Sequence, residues 1–259
     1  MANRLQLTTI DGISLDGCRW VPDGGAEPGS GPAGPLAIVI AHGLAGSWRR
    51  PATIRIAEVL RRHGAVYAFD FRGHGRSSGR STVGDLEVLD LDAVVRQARA
   101  NGWDRVATVG FSMGGSIVLR HAGLHRGVDA AVSVSGPGRW FYRDTWPMRR
   151  AHFVIERRLG RAVARAVLRT RISARRWDPI PVSPTEAAAK IAPTPLLVVH
   201  GDRDPFFPVD HAQDIYAAAG EPKELWIEPG FGHAEGAIEA ALVGRIGGWV
   251  AVAAATATR

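Results

Sequence analysis

Six short apolar runs constrain this chain more than any other feature: LAIVIAH from Leu36, AVYAFD from Ala65, RVATVGFS from Arg105, AAVSVSG from Ala130, PLLVVHGD from Pro195 and ELWIEPG from Glu224. None alternates in polarity, as a strand with one wet face would, so each reads as a strand covered on both faces. Helical patterns such as PATIRIAEVLRR and DLEVLDLDAVVRQARA lie between most of them. Strand and helix repeated in this way predict an α/β fold, a mostly parallel central sheet with helices on both faces. RLQLTTI and ISLDGCRW, joined at Asp11-Gly12, read as an opening hairpin. The Gly- and Pro-rich stretch 22–35 reads as a flexible surface connection.

From about Pro137 to Lys190 the pattern stops, because this segment is helical in period and lacks a strand-like run. It is expected to be a helical, arginine-rich lid insertion (137–190) in a core domain made of 1–136 and 191–259. One helix is predicted over about Met148 to Thr170, with Ile155, Leu159, Val163 and Val167 in one stripe and Arg157, Arg161, Arg165 and Arg169 in another. The net charge of +7 is concentrated here. Between Arg139 and Arg176 stand twelve arginines against Asp144 and Glu156, a local +10 that leaves about −3 for the rest. No apolar run approaches the ~20 residues of a membrane-spanning helix. No secretory pattern opens the chain, and a single cysteine, Cys18, excludes an internal disulfide, so a cytoplasmic location is expected.

The chemistry is concentrated in GFSMG, residues 110–114, which follows the strand RVATV and precedes the helical GSIVLRHAG. A serine on a sharp strand-to-helix turn is thrown out into a cleft, and glycines two residues away on either side relieve the crowding. Ser112 is therefore the candidate nucleophile. A hydroxyl needs a general base held by a carboxylate. HGDRDPFFP places Asp202 and Asp204 at the end of a strand, where ligand sites of parallel sheets gather, and GFGH places His233 in a glycine-rich loop after the last strand. Asp204 is preferred as the acid, with Asp202 bonding backbone N–H groups. The oxyanion of a tetrahedral intermediate needs two donors, supplied here by the backbone N–H groups of Leu44, after the turn AHGLAG, and of Met113. His42 is expected to shape that turn.

With these residues in place, the chain resembles the α/β-hydrolase superfamily, and in particular its lidded serine hydrolases. HG at 42, DFRGHGRS at 70, GFSMGG at 110, HGDRDPFFP at 200 and GFGH at 230 occur in the family's order. The resemblance implies Ser112 as nucleophile, His233 as base, Asp204 as acid, and Asp70, Arg72 and His74 as organisers of the cleft wall. It implies hydrolysis of a carboxylic ester or thioester through an acyl-enzyme, with neither cofactor nor metal required. Acyl transfer and perhydrolysis use the same triad. Trp140, Phe141 and Trp146 are candidate pocket residues for an apolar acyl group, and the basic lid could meet anionic lipid or a phosphate-bearing substrate. A non-catalytic protein binding anionic ligands or nucleic acid is the competing class; its weakness is that the aromatics do not interleave with the arginines.

Overall fold

A computed structural model describes residues 2–23 and 35–257, so most of the connection expected at 22–35 lies outside the described residues. The first hairpin pairs β1 (Ala2–Thr8) with β2 (Ser14–Trp20), and β3 (Leu36–Ala41), β4 (Ala65–Phe69), β5 (Arg105–Phe111), β6 (Ala130–Val134), β7 (Leu196–Gly201) and β8 (Lys223–Glu228) complete one sheet. Its order is β1-β2-β4-β3-β5-β6-β7-β8. The hairpin joins antiparallel, through β2 and β4, and every pairing from β4 to β8 is parallel.

Burial on both faces follows the period-2 geometry of the strands. In β3, Ala37, Val39 and Ala41 face a layer with α2 (Glu87–Ala100), α3 (Met113–Leu124) and α7 (Asp210–Ala218), whereas Ile38 and Ile40 face α1 (Pro51–Leu60) and α9 (Ala240–Thr256). One run thus feeds two cores, which is why it cannot alternate. The exception is β8: an edge strand, it is only partly buried along its length, unlike the fully covered strand its composition suggests.

Between β6 and β7 the chain forms α4 (Trp146–Glu156), α5 (Arg158–Val167) and α6 (Pro184–Ala188), an inserted helical region that ends before β7. The single helix expected over 148–170 is broken at Arg157, whose backbone is extended. The Arg161 guanidinium donates to the carbonyls of Ile155 (3.1 Å) and Glu156 (2.8 Å), so a side chain takes the acceptors that a continuing helix would have used. Gly160 then lets α5 fold back onto α4, because a side chain there would run into the Phe153 carbonyl. As a result Leu159, Val163 and Val167 do not pack inward. They stand 68, 45 and 70% exposed.

The insertion is tied down at both ends. Thr185 donates to the Gly138 carbonyl from its N–H (3.2 Å) and its hydroxyl (2.8 Å), clasping the outgoing chain to the returning one. Further along, the backbone of 171–173 bonds to Gly73 and Ser81, against the loop after β4. No helix among the described residues is long and apolar enough to cross a membrane.

Candidate active site

The turn after β5 has the conformation that its glycines foretell. Ser112 lies at φ 51°, a left-handed value unusual for a residue with a side chain, and its N–H is held by the Val134 carbonyl at 2.9 Å. A side chain on Gly110 would strike the Gly114 carbonyl, and one on Gly114 would strike the carbonyl of Ala41. Both absences let β3, β5 and the start of α3 close up under the serine.

The loops after β7 and β8 bring two distant side chains to it. His233 Nε2 lies 2.9 Å from Ser112 Oγ, and His233 Nδ1 lies 2.7 Å from Asp204 Oδ2. Asp204 is buried to 1% side-chain exposure, and its other oxygen accepts the N–H groups of Phe206 (2.8 Å) and Phe207 (3.1 Å). Those bonds fix which oxygen faces the imidazole. Nδ1 therefore carries the proton toward Asp204, leaving Nε2 free to accept from the serine hydroxyl. Asp202 turns away and accepts the Gly230 N–H at 2.7 Å, bracing the loop that carries His233.

Leu44 and Met113 flank the serine in the same cavity, and among the described residues neither backbone N–H has a partner. The Leu44 turn is built by two buried histidines. His42 Nδ1 sits 2.7 Å from the Gly43 carbonyl while its Nε2 accepts the Phe71 N–H, and His74 Nε2 accepts the Ala45 N–H at 3.3 Å. Burial lowers His42 to about 4, and burial beside His42 lowers His74 to about 3, so both are neutral structural acceptors. Asp70 accepts from Ser47 Oγ (2.6 Å) and the N–H groups of Trp48 and Arg76, tying the same turn to the loop after β4. Arg72 fastens that loop in turn, bridging Asp90 (2.7 Å) and Asp11 (2.8 Å). These two carboxylates hold its guanidinium charged despite burial.

One acidic group at the site has no motif to announce it. Glu235, two residues past His233, accepts the Gly43 N–H at 2.5 Å and lines the cavity beside Ser112. Burial pushes its carboxyl above the usual range, and the Gly43 N–H opposes that.

The cavity above the serine measures about 1280 Å³ and runs under the insertion. Trp140, Phe141 and Trp146 all line it. Trp140 is fixed by its indole N–H on the Pro181 carbonyl and by contact with Trp177, whereas Phe141 and Trp146 are more than half exposed at the rim. No cluster of three or more metal-ligating side chains occurs among the described residues.

Four known relatives or folds fit this architecture. Residues 37–153 match the family described as the alpha/beta hydrolase fold. The monoacylglycerol lipase of Mycolicibacterium smegmatis is 30% identical over 86% of this chain and 87% of its own length. Among solved structures, the Pyrococcus furiosus esterase Pf2001 superposes with a TM-score of 0.73 at 25% identity, over 96% of this chain and 90% of that one. GrgF of Penicillium sp. sh18 superposes with a TM-score of 0.74 at 20% identity, over 98 and 99%, a likeness of fold. With an eight-stranded sheet in this order, a helical insertion after β6 and a relative this similar over nearly its whole length, the chain belongs to the α/β-hydrolase family, among its esterase- and lipase-like members.

Proposed function

We propose that this protein is a serine hydrolase that cleaves carboxylic esters or thioesters through an acyl-enzyme, with Ser112 as nucleophile, His233 as general base and Asp204 as its orienting acid. The supporting observation is the continuous relay from Asp204 Oδ2 through both ring nitrogens of His233 to Ser112 Oγ. In the forward step Nε2 takes the hydroxyl proton as Oγ bonds to the carbonyl carbon, and the carbonyl oxygen becomes an anion facing the N–H groups of Leu44 and Met113. Collapse breaks the ester bond, and the departing alcohol or thiol takes the proton from His233. Water then repeats the cycle, with its proton passing to Nε2 and on to Ser112 as the acid is released. The positive end of α3 points at the developing charge. Exchanging Ser112 for Ala is expected to abolish labelling by a fluorophosphonate and to lower kcat about 10⁶-fold. Labelling of that variant at the wild-type rate would dismiss the assignment.

The acyl group is apolar and occupies the space under Trp140, Phe141 and Trp146, a reading supported by the aromatic lining and by the similarity to a monoacylglycerol lipase. A second observation bears on where such a substrate is met. Leu159, Val163 and Val167 form an exposed apolar stripe on α5, while Arg158, Arg165 and Arg169 make no ion pair among the described residues. An amphipathic helix of this kind lies at the boundary of an anionic lipid surface, beside the mouth of the cavity. Vesicle sedimentation checks this reading: the protein is expected to pellet with vesicles containing phosphatidylglycerol and to stay in solution with phosphatidylcholine alone.

A further inference from the structure

Glu235 is an acidic side chain outside the relay, and only one of its two oxygens is engaged with the oxyanion turn. Its Oε1 accepts the Gly43 N–H at 2.5 Å, which ties the turn carrying Leu44 to the loop carrying His233. Glu235's own backbone N–H also meets the carboxyl, and no other described residue donates to its second oxygen, Oε2. A methyl group built on Gly43 would touch both Ser112 Cβ (3.2 Å) and Glu235 Oε2 (3.3 Å), so this oxygen lies across one atom's width from the nucleophilic residue. Both line the cavity in which an ester would be attacked. Among the described residues, the one titratable group bearing on the carboxyl is His233, which is already engaged with Ser112 and Asp204.

A partly buried carboxyl oxygen that faces the substrate cavity is open to a donor brought by a ligand, and a ligand without that donor forgoes the bond. Sites built to hydrogen-bond a substrate hydroxyl discriminate strongly against the analogue lacking it, because the protein group is then stranded. We propose that Glu235 is a specificity-determining residue whose Oε2 accepts a hydrogen bond from a hydroxyl of the alcohol portion of the substrate, so that the enzyme selects esters of hydroxyl-bearing alcohols. This inference rests on the hydrolase reading above and adds the class of leaving group. The same oxygen disfavours alcohols carrying a carboxylate or phosphate next to the ester.

The test compares 2-hydroxyethyl octanoate with propyl octanoate, two esters of the same acyl chain and nearly the same shape that differ by a hydroxyl against a methyl. Wild-type protein is expected to favour the hydroxyethyl ester by about 10- to 100-fold in kcat/KM, the range of one hydrogen bond to a charged group. In Glu235→Gln, the amide oxygen still accepts the Gly43 N–H while an NH2 faces the cavity, and the ratio is expected to fall below about 3-fold. The ratio is read within each protein, so a general loss of rate cancels, and fluorophosphonate labelling of both proteins reports an intact relay. A wild-type ratio near one, or a Glu235→Gln ratio equal to that of wild type, overturns the inference. Protein that labels but turns over neither ester overturns it as well, by excluding this substrate class. Failure to label, with no turnover of any ester, would instead bring down the hydrolase reading beneath it.

Discussion

The loops beneath the serine and the insertion above it treat arginine in opposite ways. Below, Arg72 is shared by Asp90 and Asp11, and Arg49 by Asp16 and Asp70; three of these carboxylates are almost fully buried. Above, Arg158, Arg165, Arg169, Arg175 and Arg176 form no ion pair among the described residues, and the apolar stripe beside them is exposed. Paired charge withdrawn from water fixes geometry, because removing either partner strands the other. Unpaired charge on a surface fixes nothing within the molecule. The difference teaches that buried ion pairs fix the loops beneath the serine, whereas among the described residues no such pairs hold the outer face of the insertion.

That contrast can be broken at several points. The largest effect is expected within the frame: Asp204→Asn should keep the fold yet lower kcat about 10⁴-fold, since an amide stabilises the wrong imidazole tautomer. Steady-state kinetics on a p-nitrophenyl ester check it, and a loss under tenfold would mean that the buried carboxylate does not orient the base. Next, Arg72→Met should cost about 3–5 kcal/mol of stability, because Asp90 is left buried without its counter-ion. Urea denaturation measures this directly. A graded loss is expected on acidification. Burial holds His42 and His211 at about 4 and His74 at about 3, against roughly 6.5 in an unfolded chain. Between these values the unfolded chain binds protons that the folded chain refuses, so stability is full above about pH 6.5 and declines as the pH falls toward 4. A melting temperature constant from pH 7 to 4.5 would contradict the neutral assignment. The smallest effect belongs to the insertion: replacing Leu159, Val163 and Val167 together by Ser should change stability by no more than about 0.5 kcal/mol per site while abolishing sedimentation with anionic vesicles. A large loss of stability would show that this face is packed after all.

Much of the frame was legible because parallel strands advertise themselves. A run such as LAIVIA must be apolar at every position when consecutive side chains enter different cores, and the serine turn needs glycines wherever backbones touch. The expectation that His233 approaches Ser112 drew on chain order together with its glycine-rich loop after the last strand, and the two side chains lie 2.9 Å apart. Other features left no local trace. The break at Arg157 depends on the side chain of Arg161 competing for carbonyls, and a periodicity argument that counts arginine as merely polar runs straight through it. The strand ELWIEPG has the composition of a central strand, and its edge position follows only from the assembled order. Glu235 was overlooked because a glutamate in a glycine-rich loop reads as solvated; its meaning arises from a turn 192 residues away in the chain.

The clasp between Gly138 and Thr185 has a practical consequence. Because the outgoing and returning chains are pinned side by side, the outer helices threaded between them behave as a cassette. They could be exchanged by grafting, provided that Thr145, which bonds to the Phe206 carbonyl, and 171–173, which bond to the loop after β4, are kept.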